Sequence, residues 1–262
     1  MMKKNSWAAK LFVVLVMLFN YLPIIVVVVY SFNASKYGNW EGFSLEWYEE
    51  LFRDRQIMRS LKNSLVLAVS SCALSILIGT AGAVGMAKSH FKTKNLLENV
   101  SMIPMMLPEI ILGMAYLAFF SLLDVSFGMV TLIIAHTTFC IPYIFINVQS
   151  RLVGLDPAYV EAARDLGGNG VTCFLKIILP LSVPGIMSGV TMVFVPGVTT
   201  FVISQFLGSG KITLIGDIIE QQFMHSGNWG FGAAISIIVM IAVVLCMWLV
   251  NRFSDESGVM MP

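Results

Sequence analysis

The spacing of its charges constrains this chain more than any other feature. Leu11 to Ser35 carries none, nor do Asn63 to Ala87, Val125 to Ser150, Ile177 to Gly210 and Gln221 to Asn251; Asn99 to Leu123 carries one, Glu109. A helix of about 20 mostly apolar residues crosses the hydrocarbon core of a bilayer, so each gap has room for one. The reading places six spans at 11–32, 63–87, 102–123, 129–149, 182–207 and 232–250. Six buried helices of a soluble bundle would need polar faces that these runs lack, and a membrane β-barrel would alternate in short segments. Only 12% of the 262 residues are charged, against ~25% in ordinary soluble domains. That excludes a disordered tail, a secreted disulfide scaffold and a nucleic-acid binder. The expectation is an all-α polytopic membrane protein, a single domain over residues 1–262 in contact with lipid.

Basic residues orient the spans. With the N-terminus inside, Lys3, Lys4, Lys10, Lys88, Lys92, Lys94, Arg151, Arg164, Lys176 and Arg252 lie on the inner side. Lys36, Arg53, Arg55, Arg59, Lys62 and Lys211 lie outside, most of them in a loop that also holds Glu41, Glu46, Glu49, Glu50 and Asp54. Both termini are therefore expected in the cytoplasm. The first apolar run is too long for a signal peptide and is read as an uncleaved span. Cys72, Cys140 and Cys246 fall in spans and Cys173 in an inner loop, so no outer disulfide is implied.

Small residues and breakers shape the helices. Ser71, Ser75, Gly79 and Gly82, continued by Gly85, form a ladder that admits close helix contact. Pro184, Gly185, Gly189, Pro196 and Gly197 break up the fifth span, and Pro104 and Pro108 mark the start of the third. Broken helices occur where backbone lines a cavity or bends, so the pattern suggests a pathway. The outer loop 33–61 places Leu45, Tyr48, Leu51 and Phe52 at helical spacing, as a short amphipathic helix. Such a helix either docks a partner or anchors at the interface. Within 208–231, apolar Ile212, Leu214, Ile215, Ile218 and Ile219 leave open a segment that dips back as a partial helix.

The inner loop 150–181 contains a helix with both ends marked, over 156–168. Asp156 is the N-cap candidate, Pro157 suits the first helical position and Gly167 the left-handed residue past the end. Tyr159, Ala162, Ala163 and Leu166 gather on one side; Glu161, Arg164 and Asp165 fall on another, where Glu161 and Arg164 are spaced to brace the helix.

Beyond it the pattern Glu161-Ala162-Ala163, three residues, Gly167, nine residues, Ile177, one residue, Leu179-Pro180 closely resembles the signature loop of membrane subunits of bacterial ABC importers. Ser31-Phe32-Asn33, Trp47-Tyr48, Asn63-Ser64-Leu65, Met105-Met106-x-Pro108-Glu109 and Thr138-Phe139-Cys140-x-Pro142 are similar to the polyamine branch, the second permease of spermidine/putrescine importers. The resemblance implies a permease of a type I importer in the bacterial inner membrane. Its coupling helix would sit in a cleft of an ATPase subunit, with Asp156, Tyr159, Glu161, Ala162, Ala163, Arg164 and Gly167 carrying that contact. It also implies a second permease, most simply a related one in a heterodimer, two ATP-binding subunits and an external substrate-binding protein. ATP and Mg would belong to the ATPase, and this chain would hold no cofactor and no metal.

Candidate pathway residues are few. Glu109 is the only carboxylate within a predicted span, and a charge at mid-bilayer costs at least ~2.5 kcal/mol on insertion scales. It therefore either faces a cationic cargo or, following Pro108, answers the dipole at a helix start. His136 is a second candidate, with a hydrogen bond to a neighbouring helix as the alternative. The stretch Val195 to Phe201 contains no acid, leaving the aromatic faces of Tyr116, Phe201, Phe206 and Trp229 for cation–π contact, with Thr199 a further pathway candidate. Gly208-Ser209-Gly210-Lys211 lacks the spacing of a phosphate-binding loop, so the chain is expected to hydrolyse nothing itself. Two rivals remain: a channel or secondary transporter relaying through Glu109 and His136, and an intramembrane enzyme using the same pair.

Overall fold

The computed structural model describes residues 7–89 and 92–256; the orientation signals at Lys3 and Lys4 lie outside them. It is helical, with one isolated antiparallel bridge, Asn33 to Phe43, and no strand among the described residues. In chain order the helices are α1 (Trp7–Ser31), α2 (Glu46–Arg53), α3 (Arg55–Lys88), α4 (Lys94–Met106), α5 (Glu109–Leu122), α6 (Met129–Val153) and α7 (Ala158–Asp165). They continue as α8 (Gly170–Cys173), which runs through a π-helical turn, Phe174–Ile178, into α9 (Leu179–Thr199), then α10 (Val202–Leu207), α11 (Ile215–Glu220) and α12 (Trp229–Glu256). Among the described residues, five helices are long and apolar enough to cross a bilayer, or six if the bent pair α4 and α5 is one span.

Two expected spans are built differently. The third, placed at 102–123, is two helices meeting at 107°. Pro108 pushes Leu107 into extended backbone (ψ 141°), which no helix can contain. The fifth, placed at 182–207, ends at Thr199; Thr200 is extended (ψ 142°) and α10 is a separate turn. Pro184 and Pro196 both lie inside α9 without ending it, because a proline removes a single ladder bond that the rest of a packed helix tolerates.

The chain forms two compact units, Met1–Ile57 with Ile218–Ala242, and Met58–Asp217 with Val243–Pro262. In the first, α1 exposes its apolar surface along its whole length, the composition of a lipid-facing helix. The loop after it is organised by Asn33, which is fully buried. Its amide donates to Asn39 O (2.7 Å), its side-chain oxygen accepts from the Ser35 and Glu41 amides, and its carbonyl accepts from Trp47 Nε1 (2.7 Å). Every polar group of Asn33 therefore has work inside the fold, which leaves its Asn-Ala-Ser sequence without an accessible amide. In α2 only Leu51 is buried, whereas Leu45 and Phe52 stay exposed. The expected four-residue apolar face reduces to Leu51, with Tyr48 held by its hydroxyl on Ser31 Oγ (2.8 Å). Trp47 packs on Phe231 of α12 with the rings tilted by 46° and 5.9 Å between their centres.

In the second unit α3, α6 and α9 form the core. The small-residue ladder of α3 meets α6: a Cβ on Gly79 would stand 2.9 Å from Ile144 Cβ, and Ser75 Oγ reaches Thr137 O (3.2 Å). Gly85, expected to continue the ladder, faces open space. On α9, Gly185 and Gly189 are packing positions rather than breaks. A Cβ there would stand 2.8 Å from Asn147 O and from Ile144 Cδ1 respectively. Buried Cys72, Ala83, Cys140, Ile144, Val148 and Val193 fill the space between these helices. A second cluster, Leu67, Phe120, Leu132, Ile203, Leu207 and Leu214, joins α5 and α10 to them.

Candidate functional site

Two sites lie in the second unit. The first is built on the two helix breaks. Glu109 opens α5, where its charge meets the unpaired amides of the first turn. Its Oε1 also accepts a hydrogen bond from Thr200 Oγ1 at 2.7 Å. Glu109 is thus a half-buried carboxylate at a helix start, facing a second broken span. Thr200 is buried, whereas its neighbour Thr199 is exposed and spends its hydroxyl on Val195 O within α9. Extended backbone at Thr200 turns its side chain inward, toward Glu109. Phe201 borders the break and is part-exposed. Tyr116 stacks on Phe120 (6.4 Å) and packs in the apolar cluster of α5 and α10. Beside it, Gly113 admits the Phe206 ring; a Cβ would lie 2.6 Å from that ring.

His136 is buried, 2% exposed, and neither ring nitrogen has a hydrogen-bond partner among the described residues. The interhelical hydrogen bond considered for it is absent. Its ring occupies space that α9 leaves at Gly197, where a Cβ would sit 3.2 Å from Nε2. Nothing in the geometry brings His136 into hydrogen-bonding contact with Glu109.

The segment that closes this end of the unit lies within 208–231, where the apolar pattern leaves open a stretch that dips back. Residues 208–217 fold back over the break. Asn63 Nδ2 donates to Thr213 O (3.1 Å), Ser64 Oγ accepts from the Ile215 amide (2.9 Å), and Asp217 accepts from Ser204 Oγ and from the Leu214 amide. Asp217 thereby brings an acid to the α9–α10 corner, where the sequence stretch itself has none. The apolar run around Leu214 and Ile215 was the available signal; both are buried.

The second site is α7. Asp156 Oδ1 accepts from the Ala158 amide (2.9 Å) and Pro157 already has helical backbone (φ −53°, ψ −28°). At the other end Gly167 takes φ +82°. The Gly168 amide bonds Ala163 O (2.9 Å) and the Gly167 amide bonds Arg164 O (2.8 Å), the paired closure of a Schellman end. Gly168 must stay without a side chain, since a Cβ would lie 2.6 Å from Ala163 O. An open groove of ≈ 530 Å³ is lined by Asp156, Ala158, Tyr159, Ala162, Ala163, Leu166 and Ile177, the face expected to be apolar. Glu161 and Arg164 are exposed and form no ion pair with each other among the described residues.

Residues 75–256 match the model of the family described as binding-protein-dependent transport system inner membrane component. The chain belongs to that family. It is 33% identical to the spermidine/putrescine transport system permease protein PotC of Haemophilus influenzae, over 91% of this chain and 92% of that one. To PotC of Escherichia coli strain K12 it is 36% identical over 88% and 86%. Its fold is that of a subunit in the crystal structure of a bacterial ABC transporter involved in the import of the acidic polysaccharide alginate. There the TM-score is 0.80 with 16% identity, over 95% of this chain and 94% of the other. This protein is thus a multi-pass membrane component of a transport system, and the matched range contains α7 and both helix breaks.

Proposed function

We propose that this chain, residues 1–262 as one permease domain, forms half of the translocation pathway of an ATP-driven importer of polyamines in a bacterial inner membrane. The observation that carries the reading is α7: a helix capped at both ends, with an exposed apolar groove, inside the range of the family match. A helix of eight residues is too short to hold itself in water, so capping at both ends suits a rigid contact for another protein. In this reading Tyr159, Ala162, Ala163 and Leu166 seat in an ATPase subunit, Glu161 and Arg164 contact its rim, and Asp156 and Gly167 keep the helix in shape. Two such ATPases, binding ATP and Mg, a second, related permease and an external binding protein complete the importer. Both termini then face the cytoplasm.

The cargo follows from the polyamine permeases among the relatives and from Glu109, a carboxylate placed between two broken spans. An ammonium group competes with the Thr200 hydroxyl for that carboxylate and gains a charge-assisted hydrogen bond. Phe201 offers a part-exposed aromatic face beside it. The test is ATP-dependent uptake of labelled putrescine and spermidine by the reconstituted complex, with Glu161→Arg and Glu109→Gln in parallel. Loss of uptake in Glu161→Arg, with assembly intact, supports coupling through α7. Uptake that ignores ATP and survives Glu161→Arg overturns the importer reading, and an active complex that moves neither polyamine overturns the cargo.

A further inference from the structure

The segment 208–217 makes unusual contacts for a connecting loop. It enters through Gly208, where a Cβ would lie 2.6 Å from Ser204 O and 2.8 Å from Ile212 O. It turns at Ser209 and Gly210, two successive residues in the left-handed region (φ +52° and +68°). It then returns to press Gly216 on the α9–α10 break, where a Cβ would stand 2.5 Å from Thr199 O and 2.6 Å from Thr200 O. At two points, therefore, backbone lies directly on backbone, and only glycine permits that approach.

Those contacts meet the residue that holds Glu109. Thr200 gives its hydroxyl to Glu109 while its carbonyl lies under Gly216. The next residue of the segment, Asp217, accepts from Ser204, the second residue inside α10 after Val202. One oxygen of Asp217 takes the Ser204 hydroxyl and the other takes the Leu214 amide, so this side chain ties the returning segment to α10 and sets its own turn. Apolar packing of Leu214 against Leu207 and Ile203 supports the closure but does not select a register along α10; the directional hydrogen bond does.

We propose that Asp217 is a positioning residue for transport: it clasps 208–217 onto α10 as a strap over the Thr200 break, and the clasp must open for cargo to pass. The inference rests on the importer reading but not on the identity of the cargo. A permanent closure would need only apolar packing of the kind Leu214 supplies. The clasp instead joins a buried hydroxyl, Ser204, to a half-buried carboxylate, Asp217, in a charge-assisted hydrogen bond that holds the strap shut until transport drives it open. The left-handed pair Ser209–Gly210 supplies the pivot at one end of the strap.

The test uses the full reconstituted complex with Ser204→Cys and Asp217→Cys combined, and labelled putrescine as the probe. Oxidation, verified by peptide mapping, is expected to lower ATP-dependent uptake at least tenfold, and reductant to restore it. The same oxidation of either single variant leaves uptake unchanged. Crosslinked complex that transports like its reduced form overturns the proposal. Wild-type complex without ATP-dependent uptake would instead defeat the importer reading, so the two failures are distinguishable. In a second arm, Asp217→Asn is expected to raise basal ATPase activity several-fold and to shrink its stimulation by the binding protein. A basal rate and stimulation equal to wild type, in complex that assembles normally, overturns the clasp even if the cysteine pair does not assemble.

Discussion

Glu109 and Thr200 stand 91 residues apart in sequence and 2.7 Å apart in the fold, each at the break of a different apolar helix. Pro108 makes one break and the extended Thr200 the other, and a single hydrogen bond to a charged acceptor joins them. Such bonds contribute about 1.5–3 kcal/mol net. Thr200→Val is expected to lower polyamine uptake several-fold, while Thr200→Ser retains it. A Glu109→Gln, Thr200→Val double-mutant cycle on uptake should be strongly non-additive; additive losses would show that the pair does not act as a unit.

Gly167 and Gly168 predict different outcomes for the same substitution. Gly167→Ala puts a Cβ on a residue at φ +82° with nothing within 4 Å, so the cost is backbone strain alone, about 1 kcal/mol. Gly168→Ala drives a Cβ to within 2.6 Å of Ala163 O and must open the Schellman end. ATPase stimulation by the assembled complex should fall modestly for the first and severely for the second. The reverse order would refute this account of how α7 ends.

The glycines of the spans sort in the same way. Gly185→Ala places a Cβ 2.8 Å from the Asn147 carbonyl, a backbone group that cannot step aside, and overpacking of this kind costs about 1–3 kcal/mol. Gly85→Ala, facing open space, should be neutral or slightly stabilising in its helix. Thermal stability of the purified protein in detergent, read by tryptophan fluorescence, distinguishes the two; equal melting temperatures would contradict the packing described.

His136 offers a test with an unusual sign. A buried polar group without a partner costs about 1–3 kcal/mol, so its removal relieves the fold. His136→Leu, close in size, is expected to melt at the same or a higher temperature than wild type. A drop of several degrees would mean that the imidazole makes a stabilising contact.

In the segment between α1 and α3, Trp47→Phe removes the Nε1 donor to Asn33 O but keeps an aromatic ring near Phe231. The expected loss is about 1 kcal/mol, read as earlier protease cleavage within 33–54; unchanged cleavage would show that Asn33 organises the loop without it.

Much of this protein is decided by local sequence. Charge-free runs identify the long helices, because burying charge in hydrocarbon is expensive wherever the rest of the chain goes. Asp156, Pro157 and Gly167 mark α7, because capping depends on a few neighbouring residues, and the loop around them carries the family pattern. Pro108 signals the kink after α4, although its size, 107°, does not follow from one residue. Other features only the tertiary structure decided. Gly185 and Gly189 read as breakers and are packing contacts, since a glycine in a helix is destabilising alone and valuable where a neighbouring backbone comes close. Thr200 meets Glu109 at a break that lies against Gly216, which arrives from a later segment. Asp217 reads as a loop acid and becomes the link to Ser204 in the same way. Composition and periodicity act within a turn or two of a residue, whereas these pairings are set by which distant backbone lies alongside.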